Sequence, residues 1–113
     1  MVKVIITENL YGDIAKKFSN TEANKIIDLL ETLEENPAKG KEISSVGKIL
    51  IKEIKYGKFR FYFITDGYKI KILKADELKD LIIKFVRMSD KKSQQQTIEE
   101  IKIVLRSLGD EGF

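Results

Sequence analysis

Apolar positions follow two different spacings along this chain. Short runs that are dense in β-branched and aromatic residues, or that alternate with polar ones, predict strands at residues 2–6, 49–56, 59–65, 68–74 and 81–88. Apolar residues that recur with the helical period of 3.6 predict helices at residues 7–18, 22–35 and 97–108. The order β-α-α-β-β-β-β-α predicts an α+β fold. Two N-terminal helices and one C-terminal helix are expected to pack on one face of a twisted, mainly antiparallel sheet of four to five strands.

Residues that favour caps and turns mark the ends of these elements. Thr7 can cap the first helix, and Ser19-Asn20-Thr21 supplies a break and an N-cap for the second. Residues 38–47 are expected to form a loop. Tyr56-Gly57 and Asp66-Gly67 are expected to be the two-residue loops of successive hairpins, because glycine supplies the left-handed backbone that such loops need.

These two turns determine which residues share a face of the predicted sheet. With Tyr56-Gly57 as the loop, Glu53 lies opposite Arg60. Lys52 falls on the face that packs against the helices, which requires either a lysine that reaches solvent at an edge or a bulge in the strand. The opposite face is expected to carry Ile51, Glu53, Lys55, Arg60, Tyr62, Lys69, Lys71 and Leu73.

This second face is a candidate phosphate site. A guanidinium such as that of Arg60 can hold phosphate through two parallel hydrogen bonds, and lysines add point charges. The alternative is an ordinary solvated face, because antiparallel sheets commonly present polar residues to water.

The distribution of charge strengthens the first interpretation. The whole chain of 113 residues has a formal net charge of +3. Residues 48–92 hold 13 Lys and Arg against 6 Asp and Glu, a net charge of +7, whereas the segments before and after each carry −2. A basic middle between acidic ends favours a polyanionic partner, although a lysine-rich solvated face would give the same count.

Missing residue types exclude several kinds of chemistry. The chain has no cysteine and no histidine, which excludes disulfide scaffolds, Cys/His zinc sites and catalysis by a Ser-His-Asp triad. We expect neither a metal nor a cofactor. No apolar run approaches the length of a membrane span, and the first residues predict a strand instead of a signal peptide, so we expect a single cytoplasmic domain without a membrane partner.

Four segments together resemble the RelE/ParE superfamily of toxins, and most closely its HigB-like and phage-derived members. Residues 29–37 resemble the family's second helix and its proline-terminated end. Residues 51–55 (Ile-Lys-Glu-Ile-Lys) resemble its Leu-x-Glu-Leu-Arg strand, and residues 58–63 resemble its Tyr-Arg-hydrophobic-x-Tyr strand. Phe85 and then residues 91–94 (Lys-Lys-Ser-Gln) are similar to its Phe-x-Lys-Lys-Thr-Gln segment before the last helix.

The resemblance implies a microbial RNase fold and a toxin of a type II toxin–antitoxin system that cleaves mRNA on the ribosome and so inhibits translation. It implies mRNA, the ribosome and a small, partly disordered antitoxin protein as partners. Arg60 would clamp the phosphate, with Glu53 and Lys55 beside it and Lys91 and Lys92 in backbone contacts or catalysis. Further RNA contacts are expected from Arg87, Lys69, Lys71, Tyr62 and Lys52.

The chain departs from the family pattern at three places. Residues 75–80 interrupt what is normally one strand, and Ser89 and Asp90 are inserted before the lysine pair. The chain ends in Phe113, where some members have a tyrosine that can exchange a proton. Two alternatives therefore stay open: a module of this fold that binds RNA, the ribosome or a protein without chemistry, and an inhibitor of DNA gyrase like ParE.

Overall fold

A five-stranded mixed sheet runs through the middle of the molecule in the computed structural model, which describes residues 2–113 and only the backbone of Ala75. The strands are β1 Lys3–Ile6, β2 Lys41–Val46, β3 Ile49–Tyr56, β4 Phe59–Asp66 and β5 Ile82–Asp90. Their order in the sheet is β1-β5-β4-β3-β2. Only β1 and β5 are parallel neighbours; the other pairs are antiparallel.

Four α-helices accompany this sheet in the described part of the chain. They are α1 Glu8–Lys17, α2 Asn20–Glu31, α3 Gly67–Ile72 and α4 Gln94–Leu108. The predicted α+β class and the Thr7 cap are confirmed, and within the predicted break at residues 19–21 the N-cap is Ser19. The hydroxyls of Thr7 and Ser19 accept hydrogen bonds from the backbone N–H groups of Leu10 and Glu22. Each cap satisfies one of the helix donors that otherwise has no partner.

The first face of the sheet packs against α1 and α2. Leu10 and Ile14 of α1 and Ile26 and Leu30 of α2 are almost completely buried there. On the sheet side, Phe61, Phe63, Ile83 and Phe85 complete this core. Burial of each such side chain contributes about 1.5–3 kcal/mol, so this core is a main source of stability.

The second face is also covered, because α4 packs on it. Ile98, Ile101 and Leu105 of α4 form a separate core with Ile51 and Tyr62 of the sheet, together with Ile64 and Val86. The prediction that all helices lie on one face was therefore wrong. The apolar residues of this face form a patch that must be buried, and α4 is the helix that covers it.

Residues 68–74 form no strand, contrary to the prediction. The Asp66 side chain accepts a hydrogen bond from the backbone N–H of Lys69 at 3.0 Å, which makes Asp66 the N-cap of α3. Gly67 donates its N–H to the carbonyl of Lys48 at 2.8 Å and so fastens the start of α3 to the sheet. Asp-Gly therefore begins a helix here instead of turning a hairpin.

The segment 38–47 is not simply a loop, because it contains β2. This edge strand pairs with β3 and places Lys41 opposite Glu53 and Val46 opposite Ile49. Its register shifts between Glu42 and Ser44. This irregularity and the polar composition of the strand hide the alternation that would have identified it from the sequence.

The hairpin between β3 and β4 turns one residue later than predicted. Gly57 and Lys58 form the loop, and Gly57 adopts the left-handed φ of 58°. Lys55 therefore lies opposite Arg60, and Glu53 lies opposite Tyr62. The predicted sharing of one face by these four residues still holds, because the pairing moves along β4 by two residues and the side-chain period is also two.

None of the helices described between residues 2 and 113 combines the length and hydrophobicity that crossing a membrane requires.

A pair of isoleucine substitutions tests the packing of α4. Ile101 is completely buried on the second face, whereas Ile103 is 59% exposed on the same helix. Ile101→Ala should lower the free energy of unfolding by about 2–4 kcal/mol through lost burial and a cavity, and Ile103→Ala by less than about 1 kcal/mol. Chemical denaturation measures both, and equal losses would contradict the placement of α4.

Candidate nucleic-acid interface

Cations collect at the end of the sheet where the β3–β4 turn lies. In the register, Lys55 lies opposite Arg60, Arg60 opposite Ser89, and Phe59 opposite Asp90. The turn residue Lys58 therefore lies beside the connection from β5 to α4, which contains Lys91 and Lys92. We call Lys55, Lys58, Lys91 and Lys92 the turn-end lysines.

The turn-end lysines are exposed and carry uncompensated charge. All four side chains belong to exposed residues, and within the described residues none lies within 4.0 Å of a carboxylate oxygen. Asp90, which directly precedes Lys91 in the chain, accepts a hydrogen bond from the backbone N–H of Ser93 at 2.9 Å. That hydrogen bond holds the pKa of Asp90 below its ordinary value, with a smaller contribution from the charge of Lys17. Asp90 thus acts as an ionised residue that closes the turn before α4.

Arg60 and Glu53 form a buried ion pair beneath these lysines. The Nε atom of Arg60 lies 3.8 Å from Oε2 of Glu53, and within the described residues neither atom has a hydrogen-bond partner. Their side chains are 11% and 2% exposed. Arg60 also donates from Nη1 to the backbone carbonyl of Lys58 at 3.3 Å. In this arrangement Arg60 anchors the turn and offers a ligand little of its surface, while Glu53 faces protein only.

Tyr62 is completely buried beside this pair. Its hydroxyl lies 2.8 Å from the Ser89 hydroxyl, and either group can donate the hydrogen bond. Burial raises the pKa of Tyr62, an effect that the hydrogen bond to Ser89 partly offsets. The phenol is therefore neutral at physiological pH, and its ring is covered by protein.

Lys52 lies on the first face, away from the turn-end lysines. Its ammonium donates to the carbonyl of Ala38 at 3.1 Å and lies 5.7 Å from the centre of the Phe63 ring. Burial lowers the pKa of Lys52, and the nearby charge of Glu42 opposes that shift. Lys52 therefore fastens the segment before β2 to the sheet.

Three further predicted residues lie elsewhere. Lys69 and Lys71 belong to α3 at the opposite end of the sheet, where Lys71 pairs with Glu42 at 2.9 Å. The prediction that they share the face of Arg60 was wrong, because α3 is not a strand. Arg87 lies opposite Tyr62, where the β4–β5 register shifts, and its guanidinium stacks 5.0 Å from the centre of the Phe113 ring.

The structure adds residues that the sequence analysis missed at the turn end. The sequence analysis gave Lys58 no role of its own. In the structure it lies at the turn end, with its ammonium 5.8 Å from the centre of the Phe59 ring. Lys17, at the end of α1, lies 5.3 Å from the same ring centre. No local pattern joins α1 to β4, so only the packing of Phe18 against Phe59 reveals that Lys17 belongs here.

This arrangement is suited to holding phosphate groups. Exposed ammonium groups without carboxylate partners attract a polyanion, whereas the charge of the buried Arg60 guanidinium is balanced by Glu53. Across residues 2–113, no group of three or more Asp or Glu side chains lies close enough to hold a metal ion.

Comparison of the chain with protein-family models, with curated proteins and with solved structures finds no match.

The buried ion pair between Arg60 and Glu53 leads to a prediction about the free energy of unfolding. Arg60→Met leaves the carboxylate of Glu53 buried without a counter-charge and should lower the free energy of unfolding by about 3–5 kcal/mol. Adding Glu53→Leu should restore most of this loss, because two apolar side chains replace two desolvated charges. Denaturation of the two variants measures this, with Lys71→Met as the control that breaks an exposed pair and costs less than about 1 kcal/mol. A double variant no more stable than Arg60→Met would contradict the interpretation.

The lowered pKa of Lys52 leads to a prediction about how stability depends on pH. Its folded pKa is lowered, so between that value and the ordinary value of 10.5 the unfolded chain binds more protons than the folded one. The contribution of Lys52 to stability should therefore rise as pH rises through this window. The unfolding free energy of the wild type minus that of Lys52→Met, measured from pH 7 to 10.5, should increase. A difference that is constant or falls would show that Lys52 is not desolvated.

Proposed function

We propose that this protein is a toxin of the RelE/ParE type that acts on RNA in the cytoplasm, and that the turn-end lysines hold the RNA phosphates. The substrate is mRNA on the ribosome, and a small antitoxin protein neutralises the toxin. The toxin assignment in this proposal is supported by the resemblance of four segments of the sequence to the RelE/ParE superfamily. The exposed charges of the turn-end lysines support the proposal that the RNA lies at this end of the sheet.

One observation supports the placement above all others: four exposed lysines without carboxylate partners lie at one end of the sheet. Cations that protein carboxylates do not neutralise release counterions when they bind a nucleic-acid backbone, and that release supplies most of the sequence-independent affinity. Lys71, at the opposite end, is already paired with Glu42.

Cleavage through the 2′-hydroxyl breaks the bond from phosphorus to the 5′-oxygen. The 2′-oxygen loses its proton and attacks the phosphorus, and the leaving 5′-oxygen gains a proton. The turn-end lysines can stabilise the charge that develops on the phosphate, often the largest contribution to such catalysis. With no histidine in the chain, the proton would pass through a lysine at this end or through groups that the ribosome aligns.

A second candidate function is binding of RNA without cleavage. It is favoured by the burial of Glu53 and Tyr62, the two residues of the predicted site other than lysine that could exchange a proton. Both are covered by protein, so neither contacts a substrate in this arrangement. The two candidates share the same phosphate-binding residues and differ only in whether a cleaved product forms.

Cleavage of mRNA on translating ribosomes, mapped by primer extension, tests the proposal. Wild type should cleave, and Lys91→Ala/Lys92→Ala should cleave at least about tenfold more slowly because two phosphate contacts are lost. The matched control is Lys69→Ala/Lys71→Ala, which removes the same charge at the opposite end and should retain the wild-type rate.

Three outcomes would change this assignment. Equal losses in the two double variants would show that the lysines act through net charge alone. RNA binding by the wild type without any cleavage would select the second candidate. Inhibition of DNA supercoiling by gyrase, with mRNA left intact, would replace both with a toxin like ParE.

A further inference from the structure

A cleft of about 440 Å³ opens between the end of α1 and the start of α4, next to the turn-end lysines. Its volume lies within the range of pockets that bind small molecules. It is lined by Asp13, Lys16 and Lys17 of α1, by Phe59 at the start of β4, and by residues between the end of β5 and the start of α4, Asp90 among them. Neither the resemblance nor the phosphate site explains this group of residues.

The lining of the cleft differs in charge from the surface beside it. Two lysines are balanced by two carboxylates, so the lining as a whole is neutral, whereas the turn-end lysines are not balanced. A phosphate placed inside would meet the carboxylates of Asp13 and Asp90. The cleft is therefore better suited to an uncharged polar group attached to a strand whose phosphates lie outside it.

Hydrogen-bonding groups and an apolar wall are present together in the cleft. Asp13, Lys16 and Lys17 are exposed and can bond a ligand, whereas the hydroxyls of Ser89 and Thr97 are buried and already bonded to Tyr62 and to the carbonyl of Ser93. Phe59 and Met88 supply half-buried apolar surface. A flat ring with polar edges makes use of both kinds of surface.

We propose that this cleft binds one nucleobase of a single-stranded RNA, and specifically a base that carries an amino group, as cytosine does. The carboxylate of Asp13, which within the described residues has no ammonium within 4.0 Å, accepts the hydrogen bond from the amino group. Carboxylates recognise the N4 amino group of cytosine in this way. The ammonium groups of Lys16 and Lys17 donate to acceptors of the ring. This proposal rests on the proposed function for the identity of the ligand as RNA.

Free nucleosides test the cleft without involving the phosphate site. Cytidine and uridine are nearly the same size, but uridine has a carbonyl where cytidine has the amino group. In a titration followed by NMR, cytidine should shift the amide signals of Ser89, Ser93 and Thr97 and should bind about tenfold more tightly than uridine. Ribose 5-phosphate, which lacks a base, should leave these three signals in place.

An isosteric pair of variants supplies the control. Asp13→Asn replaces an acceptor by an amide that both accepts and donates, so the preference for cytidine over uridine should disappear. Asp28→Asn makes the same change at an exposed position of α2 and should keep the preference.

The cleft assignment is overturned if cytidine leaves the three signals unmoved, if wild type binds cytidine and uridine equally, or if Asp13→Asn retains the preference. Failure of the proposed function is a separate result. A protein that prefers cytidine in the cleft but neither binds nor cleaves RNA would keep this site and lose the toxin assignment.

Discussion

Burial of both faces of the five-stranded sheet is the constraint on which the rest of this structure depends. The first face is covered by α1 and α2, and the second by α4 through Ile98, Ile101 and Leu105. Because α4 begins directly after β5, its path also fixes which polar residues of the second face are covered. Glu53, Arg60 and Tyr62 are buried, while the residues at the turn stay exposed.

This division gives different roles to residues that the sheet places side by side. Arg60 and Lys55 are cross-strand neighbours, yet Arg60 forms a buried ion pair and Lys55 is exposed. A buried pair contributes little net stability but is costly to break from one side, so Glu53 and Arg60 are expected to specify the structure of the turn more than to strengthen the fold. Arg60 also holds the turn that carries Lys58 through its hydrogen bond to the Lys58 carbonyl.

The fold class, the Thr7 cap, the break at residues 19–21 and the strands β3, β4 and β5 were predictable because their patterns are local. The predicted partners of Glu53 and Lys55 on β4 differ from the observed ones by two residues. The sequence does not decide whether Tyr56-Gly57 or Gly57-Lys58 forms the loop. Helix α3 was missed because Asp-Gly is a common hairpin turn, and the sequence alone does not show that Asp66 caps a helix here instead. The burial of Tyr62 under α4 and the position of Lys17 depend on contacts between distant segments, and no local pattern contains that information.

The salt dependence of RNA binding tests most directly whether the turn-end lysines contact phosphates. For a single strand, the slope of log K against log salt concentration changes by about 0.7 for each phosphate contact. Measured with a 2′-O-methyl oligonucleotide that cannot be cleaved through its 2′-oxygen, Lys91→Ala/Lys92→Ala should reduce the steepness of this slope by about 1.4 relative to wild type. An unchanged slope would contradict the placement of the RNA at this end of the sheet.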